Sequence, residues 1–185
     1  IMKLLKLAVI ALFTLGTVSN ASAQDENNPY VVGFGVNVID LSDYPVDTDS
    51  YNFLSNLSRV SYEKYLEKGF TLQLAGTVNS LTTNANGDDM EKSLYWSTDL
   101  SVKYDLNNLV GETSQWFDPY VFLGGSYVNV GDLSEGMLNS GAGFNTWFSE
   151  NMGLNLQLSY RKGFSDEVAE HWQPSLGFVY RFGGI

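Results

Sequence analysis

The sequence of 185 residues contains no cysteine. It can therefore form neither a disulfide nor a cysteine-ligated zinc or iron–sulfur site, and it has no thiol nucleophile. Basic residues are also scarce, because 10 Lys and Arg stand against 21 Asp and Glu, which gives a formal net charge of −11. Since a nucleic-acid binder needs a surplus of cations for the phosphates, we expect no nucleic-acid partner.

Long apolar runs are missing after the N-terminus, so no transmembrane helix is predicted. The first residues have the order of a secretory signal. Two lysines precede a mostly apolar stretch of about twelve residues, and Ala21 and Ala23 frame a cleavage site. We predict a signal peptide over 1–23, cleaved after Ala23, and an exported barrel domain over 24–185.

The rest of the chain alternates between apolar and polar residues with a period of two. The clearest stretch sets Phe70, Leu72 and Leu74 on one face and Thr71 and Gln73 on the other. Eight such segments, each about ten residues long, begin near Tyr30, Leu57, Phe70, Leu94, Tyr120, Leu138, Leu154 and Ser175. The segment that begins near Tyr120 is apolar on both faces, so its orientation stays open.

An open sheet of eight strands would have two exposed edges, which closure into a barrel removes. Short turns at one end and long loops at the other are typical of outer-membrane barrels. We therefore predict an all-β fold, an eight-stranded antiparallel up-and-down transmembrane β-barrel. Tight turns are predicted at 66–69 and 149–152, polar loops at 41–54, 80–93, 131–137 and 163–173, and an unusually long connection at 107–118.

The alternation does not say which face lines the interior. A soluble lipocalin-like barrel turns its apolar face inward around a ligand, whereas a membrane barrel turns it toward lipid. The polar face carries mostly Gly, Ser, Thr and Asn with few charges, unlike the exterior of a soluble protein. Aromatic residues gather at the strand ends, where Trp and Tyr are stable between hydrocarbon and headgroups. Both features favour a lipid-facing apolar surface.

The last strand segment, 174–182, alternates Phe178, Tyr180 and Phe182, like the C-terminal assembly signal of outer-membrane barrels. Together with 118–125 and 141–154, it resembles the OmpA/OmpX-like outer-membrane β-barrel family, in the style of the N-terminal barrels of Bacteroidota OmpA-like proteins. The resemblance implies the cell outer membrane of a Gram-negative bacterium, with both termini periplasmic. It implies outer-membrane lipid, lipopolysaccharide and the barrel assembly machinery as partners, and a peptidoglycan link only if a C-terminal domain is missing from this chain.

Single charges on the polar faces would point into the lumen, where they must pair because an unpaired buried charge is costly. We predict that this lumen charge network consists of Arg59, Glu63, Asp99, Lys103, Arg161 and Arg181. It could be a gate of exchangeable salt bridges in a small channel or a static polar plug. The plug is favoured, because side chains fill the lumen of an eight-stranded barrel.

The predicted loops are rich in acids, including Asp40 and Glu135, which we expect to be solvated rather than to bind divalent cations. His171 lies near Ser165 and Glu170, and a lone loop histidine is expected to be exposed rather than catalytic. We predict no catalytic, cofactor or metal site. The leading function is a non-enzymatic outer-membrane protein for envelope integrity or surface contact. The alternatives are a small porin or gated channel and, third, a lipid-modifying or proteolytic barrel enzyme.

Overall fold

The computed structural model describes residues 26–42, 50–110, 116–165 and 167–183. The predicted signal peptide therefore lies outside the described residues. Among these residues no helix is long and apolar enough to cross a bilayer. In chain order the described elements are β1 (Tyr30–Asp40), β2 (Tyr51–Phe53), β3 (Arg59–Glu67), β4 (Phe70–Thr83), β5 (Asp89–Asp105), α1 (Asn107–Val110), β6 (Phe117–Val130), β7 (Leu133–Trp147), β8 (Met152–Gly163) and β9 (His171–Phe182).

The eight long strands form a closed antiparallel barrel, which confirms the predicted fold. From β3 onward each strand pairs with its neighbour in sequence, and β1 pairs with β3 on one side and β9 on the other. The closing register runs from Tyr30 opposite Phe182 to Asp40 opposite Trp172. The short strand β2 pairs with the last residues of β1, beyond the point where β3 leaves it.

The connections differ at the two ends of the barrel. The turn end carries Tyr30, Phe182 and the β3–β4 and β7–β8 turns, and the opposite end is called the loop end. The β3–β4 turn is tight because Lys68 and Gly69 both adopt positive φ, as a two-residue hairpin requires. At the loop end, the predicted 131–137 loop is wrong. Gly131 and Asp132 alone join β6 to β7, because the alternation continues through the following residues.

On the long strands that have one polar face, this face points inward. On β4, Gln73 is buried while its neighbour Leu74 is 49% exposed, and on β9 Phe178 is 63% exposed. The soluble alternative, with an apolar interior, is therefore wrong. On β6, where both faces are apolar, Tyr120 and Phe122 point inward. They fit because glycines face them on β7, where a Cβ at Gly141 or Gly143 would lie within 3 Å of their rings.

Candidate functional site in the barrel interior

All six residues of the predicted lumen charge network lie inside the barrel, and each is more than nine-tenths buried. They come from four strands, because β3 and β5 supply two each and β8 and β9 one each. Five of them assemble into two ion groups at different heights. The sixth, Arg181, lies apart at the turn end.

The first group, the arginine group, consists of Arg59, Asp99 and Arg161. The two oxygens of the Asp99 carboxylate each lie 2.8 Å from a terminal nitrogen of Arg161. Arg59 is 3.5 Å from one of the same oxygens and also donates to the Thr77 hydroxyl at 3.3 Å. Gln173 donates to this hydroxyl at 3.2 Å. Two buried cations thus share one carboxylate.

The second group, the lysine group, is a one-to-one pair of Lys103 and Glu63. The ammonium donates to both carboxylate oxygens at 2.8 Å, and Gln73 donates to one of them at 2.7 Å. The ammonium also lies 3.7 Å from the centre of the Tyr120 ring, where the negative face of the ring stabilises a cation. The Tyr120 hydroxyl in turn donates to Gln157 at 3.0 Å. Each charge of this pair therefore contacts a neutral side chain as well as the opposite charge: Lys103 contacts the Tyr120 ring, and Glu63 accepts from Gln73.

Arg181 takes part in a third arrangement, which closes the turn end. Its guanidinium lies over the Trp147 ring at 4.3 Å, and its Nε donates to the carbonyl of Glu150 in the β7–β8 turn. The Trp147 indole donates to the Asp118 carboxylate. Trp147 is completely buried and packs with Val31 and Val179.

The loop end is closed by apolar side chains. The loop-end cluster consists of Ile39, Leu81, Tyr95, Val128, Met137 and Val168. The first five project inward from barrel strands, whereas Val168 reaches in from the β8–β9 connection. Both ion groups thus lie between an apolar cluster at one end and the Trp147 arrangement at the other. A small cleft of about 30 Å³ beside Thr71 and Lys103 opens at the turn end.

Several interior residues were absent from the predicted network. Gln73, Tyr120 and Gln157 complete the lysine group, and Trp147 and Asp118 complete the turn-end closure. Each occupies an inward position of the same two-residue period that places the charges. Following that period along every strand would have found them, whereas selecting charges alone missed them.

The sequence predicts an exposed His171, and this prediction is wrong. His171 is the first residue of β9 and is only 1% exposed. Its Nδ1 lies 2.8 Å from the carbonyl of Ala169, and its Nε2 lies 3.0 Å from the Tyr95 hydroxyl. Because a carbonyl only accepts, Nδ1 carries the proton and Nε2 accepts from the tyrosine. Neither ring nitrogen contacts a serine or an acid among the described residues, so the arrangement lacks the partners of a nucleophilic triad.

Two predicted loop acids are also buried, and backbone and hydroxyl groups donate hydrogen bonds to them. Asp40 accepts from the hydroxyls of Ser42 and Ser50, and Glu135 accepts backbone N–H groups of the β8–β9 connection. Asp43, Asp47, Asp49 and Asp166 lie outside the described residues. Among the described residues, no group of His, Asp and Glu could hold a metal ion.

Glu170 is a loop acid that remains at the surface, in the connection before β9. It accepts from the Tyr160 hydroxyl, and its carboxylate lies 3.2 Å from the Lys162 ammonium. The hydrogen bond from Tyr160, followed by the contact with Lys162, holds the pKa of Glu170 below its usual value.

The outer surface carries aromatic pairs near both ends. Trp96 packs on Tyr127 toward the loop end, and Phe70 packs on Tyr104 at the turn end. Trp96 and Tyr104 lie eight residues apart on β5, which is about 26 Å along a strand and about 20 Å along the axis of a barrel with strands tilted by about 40°. This separation approaches the apolar band of about 25 Å in outer-membrane barrels.

Comparison with known proteins supports the fold. No family model matches the chain, and no curated protein matches it. The N-terminal β-barrel domain of Pseudomonas aeruginosa OprF is similar, with a TM-score of 0.57, 17% identity and coverage of 85% of this chain and 100% of the other. The outer-membrane protein OprG of the same species has a TM-score of 0.61, 12% identity and coverage of 89% and 99%.

The attachment invasion locus protein Ail of Yersinia pestis is a third neighbour, with a TM-score of 0.52, 15% identity and coverage of 85% and 99%. Identities this low show the architecture alone. The chain thus shares the eight-stranded architecture of outer-membrane barrels, while its resemblance to the OmpA/OmpX-like family stays a prediction.

Proposed function

We propose that the protein is a non-enzymatic barrel of the Gram-negative outer membrane, with both termini in the periplasm. Its role is to support envelope integrity or to present its loops for surface contact. The observation that carries this proposal is the distribution of polarity. Paired charges fill a closed interior, and the outer surface between the aromatic pairs is apolar. Such a surface is stable in lipid and unstable in water.

The partners follow from the location. Outer-membrane lipid and lipopolysaccharide would surround the apolar surface, and the barrel assembly machinery would recognise the last strand through Phe178, Tyr180 and Phe182. A peptidoglycan link belongs to the proposal only for a longer chain with a C-terminal domain. The outward, exposed position of Phe178 and Tyr180 on β9 supports their access to another protein before the barrel closes.

The small-channel alternative is weakened because, among the described residues, buried side chains obstruct the lumen at both ends: the loop-end cluster at one end, and Trp147 with Val31 and Val179 at the other. The barrel-enzyme alternative lacks support at His171, whose partners are Tyr95 and a carbonyl.

The test combines location with conductance. The folded protein should require detergent for extraction and should shift its gel mobility on heating, whereas a protein that stays soluble without detergent would refute the membrane assignment. In planar bilayers we expect little or no current. A large, stable conductance from the wild type would favour the channel. Cleavage of the protein at its loops by a protease added to whole cells would place the loop end outside the cell.

A further inference from the structure

The β8–β9 connection closes the loop end without belonging to the sheet. Phe164 donates its backbone N–H to the Gly136 carbonyl at 3.3 Å, and Tyr160 and Lys162 hold Glu170 near the other end of the connection. Between these points the barrel wall holds Ser165 and Val168 through Glu135, which is 4% exposed. Its carboxylate accepts the backbone N–H of Ser165 and, at 2.8 Å, that of Val168.

The hydrogen bonds to Glu135 hold Val168 in the lumen at the loop end of the barrel. The Val168 side chain is 6% exposed and packs against the loop-end cluster, the other members of which come from barrel strands. The last residues of the connection are held by other contacts. The Ala169 carbonyl accepts from His171, and the Glu170 carboxylate contacts Tyr160 and Lys162 on the outer surface. Among the described residues Glu135 has no ion pair, so its charge serves the connection and not a neighbouring cation.

We propose that the β8–β9 connection is a hinged stopper, which Glu135 latches and Val168 seals, and that its release opens the interior from the loop end alone. Hydrogen bonds from N–H groups to a carboxylate are stronger than neutral ones, so one carboxylate holds the stopper firmly. The wall beneath it is held by continuous strand pairing, so the stopper can open while the barrel stays folded. The inference concerns access to the interior and does not depend on the proposed cellular role.

The absence of cysteine allows a direct test by thiol labelling. Ser97, on β5, points inward below Tyr95 and is 2% exposed, so the variant S97C reports access from the loop end. Thr71, beside the turn-end cleft, gives the matched reporter T71C for the opposite end. A charged methanethiosulfonate reagent is applied to each folded variant in detergent micelles, where both ends meet the reagent, and the labelling rate is measured.

Adding E135Q to S97C should raise its labelling rate by about tenfold or more, since a charge-assisted interaction is lost. The same change should leave the rate of T71C unaltered. E167Q, which removes an exposed acid of the same connection, is the control and should leave S97C slow. Heat-modified gel mobility verifies that every variant is folded.

A second route to the same result is V168S, which keeps Glu135 and weakens the seal, and it should also accelerate labelling of S97C. It remains informative if E135Q fails to fold. Unchanged labelling of S97C in folded E135Q, or in folded V168S where E135Q does not fold, would overturn the proposal. Equal acceleration of S97C and T71C would overturn it too, because it would show general loosening of the barrel.

Discussion

The arginine group and the lysine group occupy the same interior but balance their charges in different ways. In the arginine group, Asp99 alone neutralises two guanidinium groups. In the lysine group, Glu63 neutralises one ammonium, which also rests on an aromatic ring. Removal of one partner from a buried pair is costly because the remaining charge has lost its compensation. The two groups should therefore respond differently to loss of their acids.

Loss of Asp99 should have the largest effect. The substitution D99A leaves Arg59 and Arg161 buried together without an anion, so we expect the free energy of unfolding to fall by about 5 kcal/mol, the upper end for a broken buried pair. Urea titration of the barrel refolded in lipid vesicles measures it. S101A, at the next inward position of β5, is the control and should cost far less, because its hydroxyl has no hydrogen-bond partner in the described residues.

Loss of Glu63 should cost less than loss of Asp99. E63A leaves one cation instead of two, and Lys103 keeps its contact with the Tyr120 ring. We expect the free energy of unfolding to fall by about 3 kcal/mol, the lower end for a broken buried pair. E63Q, which keeps an acceptor for the ammonium, should lie between E63A and the wild type. A loss from E63A as large as that from D99A would contradict the comparison between the groups.

The partners in both groups show what the sequence could and could not predict. The two-residue period placed all six charges inside, because neighbouring side chains of a strand point to opposite faces. It did not give their pairing. Asp99 and Lys103 lie on one strand, yet Asp99 pairs with Arg161 of β8 and Lys103 with Glu63 of β3. Pairing across a lumen depends on how far each strand is staggered along the barrel axis, which alternation within a strand does not reveal.

The other differences between the predicted and the observed structure also arise from contacts between distant parts of the chain. The segment after Gly131 was predicted as a loop because of its glycine and acids, although Glu135 and Met137 continue the inward positions of β7. His171 and Glu135 were predicted to be solvated because polar residues are usually exposed. Their burial depends on donors and acceptors of distant segments, Tyr95 in one case and Val168 in the other. These are tertiary contacts that a local pattern cannot specify.

Replacing Arg161 separates the two cations of the arginine group. R161M removes both 2.8 Å contacts and leaves Asp99 with Arg59 at 3.5 Å. The remaining pair is balanced in charge, so we expect a loss of about 2 kcal/mol, below the full cost of an unpaired ion. Urea titration under the same conditions measures it, and R161K tests whether one ammonium can replace the two-pronged contact.

Replacing Arg59 should have the smallest effect of the four. R59M leaves Asp99 with both short contacts to Arg161, and it removes the cation that lacks an anion of its own. Thr77 keeps its hydrogen bond from Gln173, so no hydroxyl is stranded. Since the Arg161–Asp99 pair stays balanced in charge and no buried ion is left without compensation, we expect a change below about 1 kcal/mol. Urea titration of R59M and R161M under the same conditions compares their free energies of unfolding. If R59M destabilises the barrel as much as R161M, the two arginines share Asp99 equally, and the charge imbalance inferred for this group is wrong.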